Sequence, residues 1–270
     1  MNQSLMSRIK ATFTNLRDQK KKALVTYLVV GDPDIKTTLD LMEVMVSKGA
    51  DILELGISFS DPMAEGPTIQ HAHERALENK TTLSDALDLV IQFRKKDSVT
   101  PIVFMGYMNP FEAMGAEDFC SRASKSGVDG ILLVDMPPEE SQDFTKATLA
   151  NDLDLIRLIA PTTDENRIRK ICSGSSGYIY YISLKGVTGA RQFDVKEVES
   201  KVKSIKSITD IPVVIGFGIK DADSVISVKD LAEGIVVGSA LVDLIAEGKN
   251  QISDKVSKKI EELSSALLRE

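Results

Sequence analysis

Residues 53–70 form the strand–loop–helix unit that decides the fold, and they read Leu-Glu-Leu-Gly-Ile-Ser-Phe-Ser-Asp-Pro-Met-Ala-Glu-Gly-Pro-Thr-Ile-Gln. A short apolar run carries one carboxylate, Glu54, and a glycine ends that run. The following loop brings Asp61 and Glu65 close behind it and closes with a Gly-Pro pair, where a helix is predicted to begin. Acidic residues gathered at one strand end, on a loop shaped by proline and glycine, indicate an acid–base site.

The same alternation of a short apolar run and a helical segment recurs along the chain. Because the runs are continuously apolar and each is followed by a helix, they predict parallel strands that are buried on both faces. Eight such units without a Gly-x-Gly-x-x-Gly motif favour a closed (β/α)8 TIM barrel over an open sheet, with residues 1–270 forming one domain. An amphipathic helix is predicted within residues 1–18, and extra helices are predicted at the C-terminus. The predicted strands are 23–30, 52–55, 101–105, 130–134, 154–159, 178–182, 212–215 and 234–237.

Composition and charge exclude several functions. A formal net charge of −7 argues against nucleic acid or an anionic membrane as the main partner. No apolar run approaches the ~20 residues that a membrane span requires. The two cysteines are too few for a disulfide framework or a zinc site, so the cytoplasm is the expected compartment. His71 and His73 lie two apart on a predicted helix and make a poor metal pair; we expect no metal site and interpret both as helix-surface residues.

Glycines after the last two strands predict a phosphate site. Residues 216–218 read Gly-Phe-Gly after strand seven, and Gly238-Ser239 follows strand eight and opens a helix. Glycine lets the backbone approach an anion, and the amides at a helix N-terminus then donate to it. This is the usual phosphate position in TIM barrels.

Glu54 is the main candidate for proton transfer. It lies inside an apolar strand and is expected to point into the barrel mouth, where desolvation raises the pKa of a carboxyl group. A second carboxylate nearby lets the two acids adopt different protonation states. The residues therefore predict a phosphorylated substrate and a reaction that needs an acid; isomerisation and carbon–carbon cleavage both qualify.

Several motifs together resemble those of the tryptophan synthase α subunit family, nearly from end to end. They are Leu-Glu-Leu-Gly at 53–56, Phe-Ser-Asp-Pro at 59–62, Gly-Pro-Thr-Ile-Gln at 66–70, Met-Gly-Tyr-Met-Asn-Pro at 105–110, Gly-Val-Thr-Gly at 186–189, and the two late glycine motifs. The resemblance implies retro-aldol cleavage of indole-3-glycerol phosphate to indole and glyceraldehyde 3-phosphate. It also implies a partner β subunit in an α2β2 heterotetramer, which receives the indole and holds the pyridoxal phosphate, with no cofactor in this chain.

The resemblance also implies roles for individual residues. Glu54 matches the acid that protonates the indole ring, and Glu65 takes the position of the acid that hydrogen-bonds the indole N–H. Tyr180 and Thr188 match supporting residues, the latter on a loop that closes over the site. The remaining positions fall into three groups: phosphate contacts at Gly189, Gly218, Gly238 and Ser239; an indole pocket of Tyr27, Met105, Tyr107, Leu132 and Phe217; and partner-facing loops carrying Ser58, Asp61, Asn109 and Asp135.

Two positions depart from the family pattern, which has proline at Ser58 and aspartate at Glu65. Losing the proline adds about 0.4–1 kcal/mol of loop entropy in the unfolded state. Glutamate keeps the charge but reaches one methylene further, and a displacement of ~1 Å in a catalytic group can lower the rate on the order of 100-fold. Two hypotheses follow: a working lyase with a re-tuned second acid, or a weak or inactive subunit retained as an allosteric activator of the β subunit. A different barrel isomerase or aldolase would require a substrate without an indole ring.

Overall fold

The computed structural model describes residues 7–182, 195–216, 218–248 and 251–269. In this part of the chain, eight parallel strands pair in sequence order, and the last pairs with the first to close a barrel. The fold is therefore the predicted (β/α)8 TIM barrel. The strands are Ala23–Val29 (β1), Ile52–Gly56 (β2), Ile102–Gly106 (β3), Gly130–Leu133 (β4), Asp154–Ile159 (β5), Ile179–Ile182 (β6), Val213–Gly216 (β7) and Gly234–Val237 (β8).

Helices surround the barrel and mostly begin and end near their predicted positions. One was not predicted: α5 follows β3 directly, over a stretch that the sequence indicated only as a loop. Because proline is favoured in the first turn of a helix, Pro138 predicts a helix over 139–150; the observed helix begins later, at Gln142. The helices are Arg8–Asp18 (α1), Ile35–Ser47 (α2), Pro67–Glu78 (α3), Leu83–Arg94 (α4), Met108–Met114 (α5), Ala116–Ser126 (α6), Gln142–Ala150 (α7), Glu165–Ser173 (α8), Val195–Lys206 (α9), Ala222–Val228 (α10), Ser239–Glu247 (α11) and Ile252–Leu268 (α12).

The first helix closes the amino-terminal end of the barrel, in keeping with its predicted amphipathic character. Ile9, Phe13 and Leu16 are buried, and the Phe13 ring lies 6.0 Å from the ring of Tyr178, just before β6. At the other terminus, α12 packs against α2, α10 and α11 as an additional layer. No helix in the described ranges is long and apolar enough to cross a membrane.

A buried carboxylate fastens α1 to the barrel. Asp129, just before β4, accepts hydrogen bonds from Arg8 and Arg94, each at 2.8 Å, and from the backbone N–H of Ile102 at 2.8 Å. The Asp129 side chain is 5% exposed. These hydrogen bonds tie the N-terminal helix to β3 and β4. Removing one member of this buried ion-pair cluster would leave an uncompensated charge and destabilise the fold.

The strand register fixes which side chains meet at the carboxyl-terminal face. Tyr27 on β1 pairs with Glu54 on β2, and Glu54 pairs with Val103 on β3. In parallel barrels this face is formed by the loops that follow the strands. The register therefore sets the carboxylate of β2 directly beside the tyrosine of β1, inside the barrel.

Candidate active site

A cavity of about 430 Å³ opens at the carboxyl-terminal face. One side is formed by the loop 57–66 between β2 and α3, hereafter the acid loop, through Ala64, Glu65 and Gly66. The opposite side is formed by the ends of β7 and β8. Among its lining residues are the predicted Tyr27, Met105, Tyr180, Gly218, Gly238 and Ser239. The structure thus brings the second acid, part of the predicted pocket and the late glycines around one space.

Glu54 lies beneath this cavity and is fully buried. Its Oε1 accepts a hydrogen bond from the hydroxyl of Tyr178, while its Oε2 has no hydrogen-bond partner among the described residues. The pKa of Glu54 is raised to about 7, mainly by burial; the hydrogen bond from Tyr178 lowers it in part, and the negative charge of Glu65 adds a smaller increase. The carboxyl group therefore retains a large protonated fraction at neutral pH and keeps one oxygen free.

Glu65 supplies the second carboxyl group from the acid loop. The residue is half-buried at the cavity wall, and desolvation raises its pKa to about 7. Its carbonyl oxygen accepts from the side-chain amide of Gln70 at 2.9 Å, which fixes the backbone at the start of α3. Two interacting acids that both titrate near neutrality provide one proton donor and one carboxylate at pH 7.

Two tyrosine hydroxyls accompany the acids. Burial and the negative charges of Glu54 and Glu65 raise the pKa of both Tyr27 and Tyr180 well above the ordinary range. Both phenols therefore remain protonated and can donate hydrogen bonds at any physiological pH. Gly216 makes room for Tyr180, since a Cβ there would lie 2.1 Å from the Tyr180 hydroxyl oxygen.

The acid loop is anchored by its own hydrogen bonds. The Ser58 hydroxyl donates to the carbonyl oxygen of Thr81 at 3.0 Å, and the N–H of Ala64 donates to the Tyr107 hydroxyl at 3.0 Å. The rings of Phe59 and Tyr107 stack at 5.2 Å. Ser58 is 9% exposed: its side chain points inward and ties the acid loop to the turn before α4, while the place of this loop at a partner interface stays a prediction.

The two histidines on α3 differ, and one expectation is corrected. His71 is exposed and pairs with Glu74 at 2.9 Å, as a surface histidine does. His73 is 1% exposed, and its Nδ1 accepts from the backbone N–H of Phe59 at 3.1 Å. Its interpretation as a surface residue was wrong, because α3 turns this side chain toward β1 and the acid loop.

The far end of the cavity has the features expected of an anion site. Gly218 has φ +45°, a conformation that favours glycine, and a Cβ there would meet nothing within 4 Å. Gly238 precedes Ser239, the first residue of α11, where the first amides of a helix have no partner within it. Lys220 adds a positively charged side chain to the lining, and Asp243 adds a carboxylate.

Other predicted positions lie away from the lining or outside the described residues. Tyr107 and Leu132 are buried behind the cavity wall and do not line it, because Tyr107 packs against the acid loop and Leu132 belongs to the barrel interior. Thr188, Gly189 and Phe217 are outside the described residues. The predicted partner-facing residues Asp61, Asn109 and Asp135 are exposed, and Asp135 accepts from the N–H of Met108 at 2.8 Å, at the start of α5.

Sequence reasoning missed Tyr178, the residue that bonds directly to Glu54. A signal was available, since Tyr178 and Tyr180 are two residues apart and alternate residues of a strand share a face. Tyr178 and Tyr180 are both buried in the hydrophobic cluster inside the barrel. Tyr181 is buried in the separate hydrophobic cluster between the barrel and its helices. Its position works against detection, since Tyr178 lies before β6 and the catalytic residues of such barrels usually lie at the carboxyl ends of the strands.

Comparison with known proteins gives a consistent result. The family model described as tryptophan synthase alpha chain matches residues 13–268. The tryptophan synthase alpha chain of Thioalkalivibrio sulfidiphilus is 51% identical over 242 residues, which are 90% of this chain and 91% of that protein. The corresponding protein of Nitrosococcus oceani is 50% identical over 264 residues, covering 98% and 96% of the two chains.

Solved structures agree in fold. The tryptophan synthase subunit alpha of Legionella pneumophila superposes with a TM-score of 0.91 at 38% identity, covering 97% of this chain and 98% of that one. A chain from the tryptophan synthase a2b2 complex of Pyrococcus furiosus superposes with a TM-score of 0.85 at 40% identity, covering 91% and 99%.

Proposed function

The chain belongs to the tryptophan synthase alpha chain family, and from that premise we propose that it cleaves indole-3-glycerol phosphate to indole and glyceraldehyde 3-phosphate. As a member it is a lyase of tryptophan biosynthesis; the carbon–carbon bond broken and the residues responsible are the content of the proposal. One observation carries it: a fully buried glutamate with an unpartnered oxygen lies beside a second acid under the cavity.

The proposed reaction begins with proton transfer. Glu54 donates its proton to C3 of the indole ring, which makes the ring an electron acceptor. The bond between C3 and the glycerol phosphate side chain then breaks, and its electron pair returns to the ring. The adjacent side-chain hydroxyl loses its proton to the Glu54 carboxylate that the first step leaves, and becomes the aldehyde of glyceraldehyde 3-phosphate. A pKa near 7 suits Glu54 to this role, since an effective general acid titrates close to the working pH.

Glu54 must turn before it can act. Its carboxyl group is bonded to Tyr178 and is not among the residues lining the cavity within the described ranges. A rotation of the side chain away from Tyr178 would carry the free oxygen up toward Tyr27 and Met105. Tyr178 thus holds the acid, and substrate must compete with this hydrogen bond.

Glu65 is the proposed partner for the indole N–H. Its carboxylate would accept a hydrogen bond from the indole N–H and stabilise the positive charge that develops on the protonated ring. The longer glutamate side chain fits at the cavity wall, where Gln70 holds its backbone. This accommodation favours the working lyase over the inactive subunit, and no described contact favours the reverse.

The phosphate group would lie at the opposite end. Backbone amides after Gly218 and Gly238, together with the hydroxyl of Ser239, can donate to its oxygens. An anion bound there would fix the distance between the side chain and the acids, which is the positioning that proximity catalysis requires.

The family also supports a partner. A Pyrococcus furiosus relative has been solved as an a2b2 complex. We place the β subunit on the carboxyl-terminal face, near the exposed Asp61, Asn109 and Asp135, in an α2β2 assembly. Pyridoxal phosphate would belong to that subunit and would receive indole there, with no resident cofactor in this chain; the cytoplasm is the predicted compartment.

The decisive assay is indole release from indole-3-glycerol phosphate in the presence of the β subunit, with Glu54→Gln as the control. The proposal expects turnover far above this control, and turnover at the level of the control would refute it. Glu65→Asp should raise the rate of indole release if the longer side chain misplaces the carboxyl group. An unchanged rate would show that the extra methylene of Glu65 does not slow the reaction. If adding this chain leaves the conversion of indole to tryptophan by the β subunit unchanged, the proposed partnership fails.

A further inference from the structure

A buried histidine outside the cavity lining links the acid loop to the barrel mouth. His73 lies on α3, and its Nδ1 accepts from the N–H of Phe59 at 3.1 Å. Its Nε2 lies 3.5 Å from the hydroxyl oxygen of Tyr27. No step of the proposed reaction uses this side chain, although it contacts both the acid loop and Tyr27 on β1.

The hydrogen bond from Phe59 determines the form of the imidazole. A backbone N–H can only donate, so Nδ1 must be unprotonated, and the neutral ring then carries its hydrogen on Nε2. Burial lowers the pKa of His73 to about 4, which keeps the ring neutral at physiological pH. The Nε2–H is thus directed at the Tyr27 oxygen, which leaves the hydrogen of the Tyr27 hydroxyl for an acceptor in the cavity.

Contacts continue from His73 to the second acid. Phe59 stacks on Tyr107, and the Tyr107 hydroxyl accepts from the N–H of Ala64, the residue before Glu65. On the other side, Tyr27 lies over Gly56, where a Cβ would come within 2.2 Å of the tyrosine oxygen. The imidazole is therefore held between a loop that carries one acid and a tyrosine that is wedged against the strand carrying the other.

We propose that His73 is a positioning residue that sets the distance between the acid loop and Tyr27 by accepting from Phe59 through Nδ1 and donating to Tyr27 through Nε2. This role rests on the proposed lyase function, because the two elements that His73 joins border the proposed indole site. It works through Glu65 and Tyr27 and makes no contact with substrate.

Two substitutions separate the two nitrogens. The amide oxygen of asparagine lies near the position of Nδ1, whereas the amide group of glutamine lies near Nε2. His73→Asn retains an acceptor for Phe59, and His73→Gln loses it. Since a displacement of ~1 Å in a catalytic group lowers rates on the order of 100-fold, we expect kcat to fall roughly 10- to 100-fold in His73→Gln, with a smaller change in KM, and only a few-fold in His73→Asn.

The matched control is His71→Asn, on the same helix but exposed. It should leave kcat unchanged. A purely structural role for His73 would lower the unfolding temperature of both His73 variants while leaving their kcat values equal to each other in the folded range. Equal kcat values in the two variants, or a kcat of His73→Gln within about twofold of wild type, would overturn the proposal.

Two measurements need no activity. Nitrogen-15 NMR should find the His73 hydrogen on Nε2, and a hydrogen on Nδ1 would refute the geometry. Amide hydrogen exchange of a peptide covering 57–66 should accelerate in His73→Gln and stay slow in His73→Asn. If the wild-type protein releases no indole, the proposed lyase function is refuted, but the NMR and exchange results still test the hydrogen bond between Phe59 and His73. If amide exchange is unchanged in both variants, the positioning role is refuted even in an active enzyme.

Discussion

Replacing the buried acid Glu54 by glutamine should stabilise the protein while abolishing its proposed activity. The folded state holds the pKa of Glu54 at about 7, against an ordinary value of 4.5. Because the folded protein binds this proton more tightly than the unfolded chain, the contribution of Glu54 to stability is fully present below about pH 4.5. It is lost as pH rises through about 7. A difference of about 2.5 pH units corresponds to about 3 kcal/mol in the free energy of unfolding.

Glutamine avoids this loss because it has the same size, stays neutral and can still accept from Tyr178. The free energy of unfolding of Glu54→Gln should therefore exceed that of wild type by up to about 3 kcal/mol at pH 8, and the two should converge near pH 4.5. Urea unfolding curves at several pH values measure this difference directly.

Glu78→Gln serves as the matched control, since Glu78 is an exposed glutamate near the end of α3. It should not change the pH dependence of stability. A difference between Glu54→Gln and wild type that is independent of pH, or a variant that is less stable than wild type at pH 8, would refute the reasoning that Glu54 is a desolvated acid. The expected trade-off, in which a catalytic group destabilises the fold that holds it, is common at active sites.

Three further predictions concern the surroundings of the site and the base of the barrel. Tyr178→Phe removes the hydrogen bond that lowers the pKa of Glu54, so the pKa should rise and the alkaline limb of the pH profile of indole release should move to higher pH; an unmoved limb would contradict the assignment of Glu54 as the acid. Gly216→Ala should displace Tyr180 and lower kcat/KM roughly 10- to 100-fold in the same assay, and wild-type kinetics would show that Tyr180 tolerates the shift. Asp129→Asn leaves its arginine partners without their carboxylate and should lower the free energy of unfolding by about 3 kcal/mol in urea, whereas a loss under 1 kcal/mol would make the cluster dispensable.

The barrel could be read from the chain because its determinants are local. Continuous apolar runs, each followed by a helix, specify parallel strands through hydrophobic patterning alone, and the predicted strands at 154–159 and 234–237 match the observed β5 and β8. The short helix α5 escaped prediction because its seven residues contain a proline and a single buried residue, Phe111, so they show no helical period. The fold class, the second acid and the glycine ends of β7 and β8 were likewise visible in sequence order.

What the sequence could not decide is which side chains meet across the barrel. Tyr178 and Glu54 are 124 residues apart, and only closure of the sheet brings the hydroxyl to the carboxylate. His73 looked like a surface residue because helical spacing shows which side chains share one side of a helix. It does not show which other elements pack against that side. Ser58 looked like an exposed loop residue because nothing near it in sequence predicted the carbonyl of Thr81. The residue types and their order determined the fold and the chemistry available, whereas the pKa of Glu54, its partner and the anchoring of the acid loop depend on burial and on contacts between distant segments, which arise only in the tertiary structure.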